Sequence, residues 1–153
     1  MKQLIETFYE AFSRKDAETM ISCYHEEIRF QDPAFGELHG QDACDMWRML
    51  CKSAQDLEVE YSGIEADEQK GLASWEAIYT FSRTGNRVHN RVLAKFRFKD
   101  GKIIEHADSF NLHVWATQAM GWKGKLFGGM AFFQESVQKK SRGLLKKFQA
   151  RNS

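Results

Sequence analysis

Val92-Leu93-Ala94-Lys95-Phe96-Arg97-Phe98-Lys99-Asp100-Gly101-Lys102-Ile103-Ile104-Glu105-His106-Ala107-Asp108-Ser109-Phe110 reads as two strands and the turn that joins them. Successive strand side chains point to opposite faces, so alternate residues share a surface. Val92, Ala94, Phe96 and Phe98 share one, and Lys95 and Arg97 point the other way. Asp100-Gly101 tolerates positive φ, which suits a hairpin turn. Past the turn, the even positions set His106 and Asp108 between Ile104 and Phe110, placing ionisable groups on an apolar face.

Outward from this hairpin the same period recurs. Residues 57–61 alternate, residues 75–81 carry apolar groups at every odd position, and residues 88–98 and 103–112 complete an antiparallel meander with a second turn at Thr84-Gly85-Asn86. Upstream the period is helical. Leu4, Ile5, Phe8 and Phe12 form one stripe, Asp16 is an N-cap for a second helix carrying Met20, Ile21 and Tyr24, and Ala43, Trp47, Leu50 and Cys51 mark a third over residues 40–52. Pro33 falls in the connection between the two parts. Helices first and a meander after predict an α+β fold.

The 153 residues suffice for one domain with its own core. The net charge of +1 excludes the uniform basic field of a general nucleic-acid binder. That average hides an asymmetry: residues 123–153 carry +7 and residues 1–122 carry −6. The expected division is a domain over residues 1–122 and a basic amphipathic helical extension over residues 123–153. Phe133, Val137, Leu144 and Phe148 form the extension's apolar stripe. Packing of that stripe on the domain or on a second copy is favoured over docking to a membrane surface. Cys23, Cys44 and Cys51 lack metal-type spacing and fit a reducing, cytoplasmic setting, in keeping with a first segment that lacks a signal-peptide apolar run.

Two places could carry chemistry. Asp32, surrounded in sequence by apolar residues, is either a desolvated general base or a turn residue whose carboxylate binds nearby backbone N–H groups. His106 and Asp108 are either catalytic or a satisfied polar pair. Trp75, Ala77, Tyr79 and Phe81 would line the same hollow. His25, His39, His89 and His113 show no ligand spacing, and no phosphate loop or nucleophile elbow occurs, so no metal or organic cofactor is expected.

The order of elements, together with Phe8-Tyr9-Glu10-Ala11-Phe12-Ser13-Arg14-Lys15-Asp16, Phe30-Gln31-Asp32-Pro33 leading to His39-Gly40, and the stretch quoted first, resembles the nuclear transport factor 2-like superfamily, whose members include SnoaL-like and ketosteroid isomerase-like proteins. The resemblance spans residues 3–122. It implies a cone-shaped roll, three helices packed against a strongly curved antiparallel sheet, usually as a homodimer. In ketosteroid isomerases an aspartate base works with a tyrosine and a protonated carboxylic acid. Asp32 matches the base and Tyr9 stands near the tyrosine, whereas Ala94 occupies the place of the second acid. Similarity to limonene epoxide hydrolases centres on Asp108, but Trp75 and Ala77 stand where that triad's Arg and Asp would be. The resulting expectation is a small-molecule enzyme acting on an apolar carbonyl ligand by proton transfer, as an isomerase or cyclase does. Its catalytic groups would be Asp32, Asp108 and His106, with Tyr9, Trp47, Trp75, Tyr79 and Asn90 around the ligand. The alternative is a noncatalytic ligand-binding or dimeric association module.

Overall fold

Ile5, Phe8, Tyr9 and Phe12 recur at helical spacing, and all are buried along α1 (Lys2–Ser13) of the computed structural model, which describes residues 1–152. Asp16 caps α2 (Ala17–Ser22), its carboxylate accepting the Thr19 N–H at 3.1 Å. After β1 (Tyr24–Asp32) and β2 (Gly36–His39) comes α3 (Gln41–Ser53), which buries Ala43, Met46, Trp47 and Cys51. Then follow β3 (Glu58–Ala66), β4 (Lys70–Phe81), β5 (Asn86–Lys99) and β6 (Lys102–Ser109). The six strands form one open sheet in the order β2-β1-β6-β5-β4-β3. All junctions are antiparallel except β1 with β6, which is parallel. The opening helices cover one face of the sheet, and their apolar stripes merge with its inward residues into a single core.

β1 and β2 are strands that the sequence reading assigned to a connection, and Tyr24 opens β1 instead of ending a helix. The register of β1 against β6 shifts between Tyr24 and Arg29, and although the inward residues Tyr24, Ile28 and Phe30 share one parity, Glu26 between them is exposed and interrupts the alternation. A second irregularity corrects the face of Ile104. The β5–β6 register slips between Arg97 and Phe98, turning Ile103 fully into the core and leaving Ile104 half-buried. From Glu105 onward the alternation holds, so His106 and Asp108 do point inward. The turn before them has Asp100 at φ 53° and Gly101 at φ 74°, the mirror-image geometry that suits a tight hairpin.

Three helices complete the chain: α4 (Leu112–Met120), α5 (Trp122–Phe127) and α6 (Ala131–Arg151). Leu112 therefore begins a helix and does not extend the last strand. α6 packs back on the domain with Phe133, Val137 and Phe148 of the expected stripe half-buried, but Leu145 takes the buried place and Leu144 is exposed. Polar residues share this contact. Arg142 donates to the Phe35 carbonyl at 2.7 Å and the Glu37 carbonyl at 3.2 Å, and Gln149 donates to Asp42 and Asp45 on α3. Gly36 sits at φ 73°, a backbone conformation that side chains rarely adopt, and an added Cβ there would lie 2.7 Å from the Arg142 guanidinium and push it aside. α6 thus clamps the β1–β2 turn. Replacing Arg142 with Ala is expected to cost about 1 to 2 kcal/mol in urea unfolding, the loss of two charge-assisted hydrogen bonds. Unchanged stability would show that the clamp holds nothing.

Candidate functional site

Phe30 on β1 and His106 on β6 are register partners across the parallel junction, so the ends of both strands deliver side chains to one place. His106 is 1% exposed and Asp108 6%. The imidazole is boxed by the rings of Phe96, Phe30 and Phe8 at centroid distances of 4.6, 5.2 and 5.4 Å, with Trp47 stacked at 6.1 Å.

A chain of hydrogen bonds runs through this box. An indole can only donate, so the Trp47 N–H gives its proton to the Tyr24 hydroxyl oxygen at 2.9 Å. Tyr24 is then free to donate its own O–H to His106 Nδ1 at 2.7 Å. That fixes the tautomer: Nε2 carries the hydrogen and donates to Asp108 Oδ1 at 2.9 Å. The Trp75 N–H donates to the same oxygen at 3.2 Å. Trp47 and Trp75, expected as apolar walls, spend their polar atoms on this relay. Burial, and then the Asp108 charge, holds the Tyr24 hydroxyl well above the ordinary phenol range, so it stays a donor.

Asp32 closes β1 at the relay's edge. Its Oδ1 accepts the Ala34 and Phe35 N–H groups at 2.9 and 2.6 Å, which is the turn role foreseen for it. Desolvation nevertheless dominates. Burial raises its pKa from 3.8 to about 7; the Phe35 and Ala34 bonds and His106 oppose the rise, and the Asp108 charge adds to it. Asp32 is thus a turn residue whose carboxyl is held near neutrality. Its Oδ2 has no protein partner among the described residues.

Tyr9 is fully buried on α1, with its ring over Tyr61 at 5.7 Å and Trp75 at 6.1 Å. Its hydroxyl has no hydrogen-bond partner among the described residues. Burial first, and then the charge of Asp108, pushes its pKa well above 10.0. Ala94, where the resemblance called for a second acid, is the cross-strand partner of Asp108. A carboxyl is thus present at that level of the sheet, supplied by the neighbouring strand.

Asp32, His106, Asp108, Tyr9, Trp47 and Trp75 come together. Tyr79 and Asn90 do not join them: they lie on the β4–β5 hairpin toward α4, where the Tyr79 hydroxyl accepts the Trp115 indole N–H at 2.7 Å and Asn90 pairs with Ala77. Tyr24 is the site residue that the sequence reading missed. The hollow expected between helices and sheet is occupied, since Phe12 packs against Trp47 at 5.1 Å and Trp75 at 5.4 Å. Three clefts, of about 880, 530 and 710 Å³, open elsewhere along the sheet, and none of these takes Asp32, His106 or Asp108 into its lining. No cluster among the described residues has the makings of a metal site.

Comparison with known proteins gives the same fold. The family model for the SnoaL-like domain matches residues 5–106. AclR, a hydroxylase candidate from Streptomyces galilaeus, superposes with a TM-score of 0.61 at 25% identity, over 72% of this chain and 88% of its own. An epoxide hydrolase of the limonene type from M. tuberculosis superposes at 0.61 and 22% identity, over 82% and 89% of the two chains. A nuclear transport factor 2-like protein from Burkholderia thailandensis reaches 0.67 at 20% identity, over 78% and 95%. Among curated proteins, none matches significantly. The match to the domain model, carried by an open six-stranded sheet under three opening helices, establishes that this chain belongs to the SnoaL-like family within the nuclear transport factor 2-like superfamily.

Proposed function

We propose that the protein is a small-molecule enzyme that moves a proton on an apolar, carbonyl-containing ligand, with Asp32 as the base. The observation that carries this reading is a carboxyl held near pKa 7, one oxygen anchored by backbone and the other open, at the rim of a dry aromatic interior. Asp32 Oδ2 would take a proton from the carbon beside the carbonyl, and the electron pair would shift onto the carbonyl oxygen as an enolate. Tyr9, whose hydroxyl has no protein partner to surrender among the described residues, would donate to that oxygen. Return of the proton to a different carbon completes an isomerisation; attack of the enolate carbon on a second carbonyl, followed by protonation of the new alkoxide, completes a cyclisation. His106 would orient Asp108 through their hydrogen bond, and the Asp108 charge would help keep the Asp32 pKa raised. Neither a metal nor an organic cofactor is needed for these steps.

One observation favours the second reading, a noncatalytic ligand-binding module: the aromatic filling of the interior, which a ligand must displace. The two are separated by screening hydrophobic ketones and lactones for thermal stabilisation, then following loss of the α-proton signal of each hit in D₂O by NMR. Exchange that rises with pH through about 7 and disappears in Asp32→Asn is the expected result. A hit that stabilises the protein without Asp32-dependent exchange would establish binding without catalysis.

A further inference from the structure

We infer that α5 and the segment leading into α6 form a docking surface for an anionic lipid membrane. Nine large apolar side chains are exposed among the described residues, and six of them lie in residues 114–132: Val114, Trp122, Leu126, Phe127, Met130 and Phe132. Apolar exposure so concentrated marks an interaction surface.

Packing fixes which way α5 faces. Gly124 is buried against α4, where an added Cβ would sit 1.9 Å from the Ala116 carbonyl oxygen, and Gly128 continues the same close approach. Trp122 and Leu126 lie two residues either side of Gly124, hence on the opposite side of the helix, and they are 67% and 58% exposed. Phe127 and Phe132 extend the surface, their rings 6.2 Å apart.

The charge on this surface selects the partner. From Ser109 to Gln134 there is no Asp or Glu, while Lys123 and Lys125 flank the exposed apolar residues. Lys123 lies along the Trp122 ring, with its ammonium 5.7 Å from the centroid. An exposed tryptophan with lysines beside it suits the boundary between headgroups and acyl chains, where the rings enter the apolar layer and the ammonium groups meet phosphate. A symmetric contact with a second copy would instead set this segment against its own duplicate, and neither copy's residues 109–134 supply a carboxylate to offset Lys123 and Lys125. α6 carries further positive charge, but its inner flank is already spent on the β1–β2 turn and α3.

The test uses the full chain and vesicles of phosphatidylcholine alone or mixed with phosphatidylglycerol. The expected result is co-sedimentation with the mixed vesicles only, weakened by added salt, with a blue shift of tryptophan emission. The shift should be lost with Trp122→Ser, because Trp47 and Trp75 are buried and Trp115 is half-buried with its N–H held by Tyr79, which leaves Trp122 as the exposed tryptophan. Trp122→Ser with Leu126→Ser, and separately Lys123→Glu with Lys125→Glu, should each weaken binding about tenfold or more without lowering Tm, as all four side chains lie outside the core. Absence of binding to the mixed vesicles, binding indifferent to the Trp122 and Leu126 pair, or a dimer in lipid-free sedimentation that those same substitutions dissociate would each overturn the inference.

Discussion

Replacing Asp32 with Asn is expected to abolish proton-transfer activity while making the protein more stable above neutral pH. The amide oxygen of Asn can still accept the Ala34 and Phe35 N–H groups, so the turn survives. What disappears is the need to hold a negative charge in a desolvated place beside Asp108. The carboxyl titrates at about 7 in the folded chain against 3.8 ordinarily. Between those values the folded state retains a proton that the unfolded state has released. The stability contributed by this group is therefore complete below about pH 3.8 and is lost as pH rises toward 7. At 1.36 kcal/mol per pH unit the gap amounts to at most about 4 kcal/mol, and water at the half-buried carboxyl reduces the expected gain to about 2 kcal/mol. Urea unfolding at pH 8 should show Asp32→Asn more stable than the parent, and the advantage should vanish near pH 4. Loss of the general base should lower kcat by about 10²- to 10⁴-fold. A variant that is inactive but gains nothing at pH 8 would mean that Asp32 carries its charge at little cost, and the argument for a tuned base would fail.

The sequence disclosed the parts of this site that follow from period and missed those that follow from irregularity. His106 and Asp108 were legible because β6 alternates strictly from Glu105 onward, and strict alternation is what a half-buried strand imposes. The opening helices were legible from the stripe through Ile5, Phe8 and Phe12. Tyr24 was not, since it stands before a register shift in β1 and follows a helical run closely enough to be counted with it. Its role depends on Trp47, 23 residues away, and His106, 82 residues away, and no local pattern announces so distant a meeting. The orientation of α6 was hidden for another reason. An apolar stripe indicates which face could be buried, yet Arg142, Gln138 and Gln149 also found backbone carbonyls and carboxylates to bond, so they share the contact with half-buried Phe133, Val137 and Phe148 while Leu145, not Leu144, is buried. The filled interior also escaped the sequence, because aromatic residues that could wall a cavity are the same ones that can close it.

Two tyrosine-to-phenylalanine changes in this interior should act with opposite signs. Tyr24→Phe leaves the Trp47 N–H and His106 Nδ1 both buried and unpaired, at about 1 to 3 kcal/mol for each group, so a loss of about 2 to 4 kcal/mol is expected. Tyr9→Phe removes a hydroxyl that the folded chain has already taken from water without giving it a partner, and stability should stay level or rise by about 1 kcal/mol. The ring contacts of Tyr9 with Tyr61 and Trp75 remain available to phenylalanine. Activity should separate the pair differently. If Tyr9 donates to the enolate oxygen, its loss should lower kcat by about 10²-fold with little change in KM, because that bond strengthens only as charge develops. Chemical denaturation and turnover measured on the same two variants decide the matter. A Tyr9→Phe protein that loses stability would show its hydroxyl to be held in the folded state, and would remove Tyr9 from the groups that face the ligand. A Tyr24→Phe protein as stable as the parent would mean that Trp47 and His106 find other partners, and that the relay does not fix the imidazole.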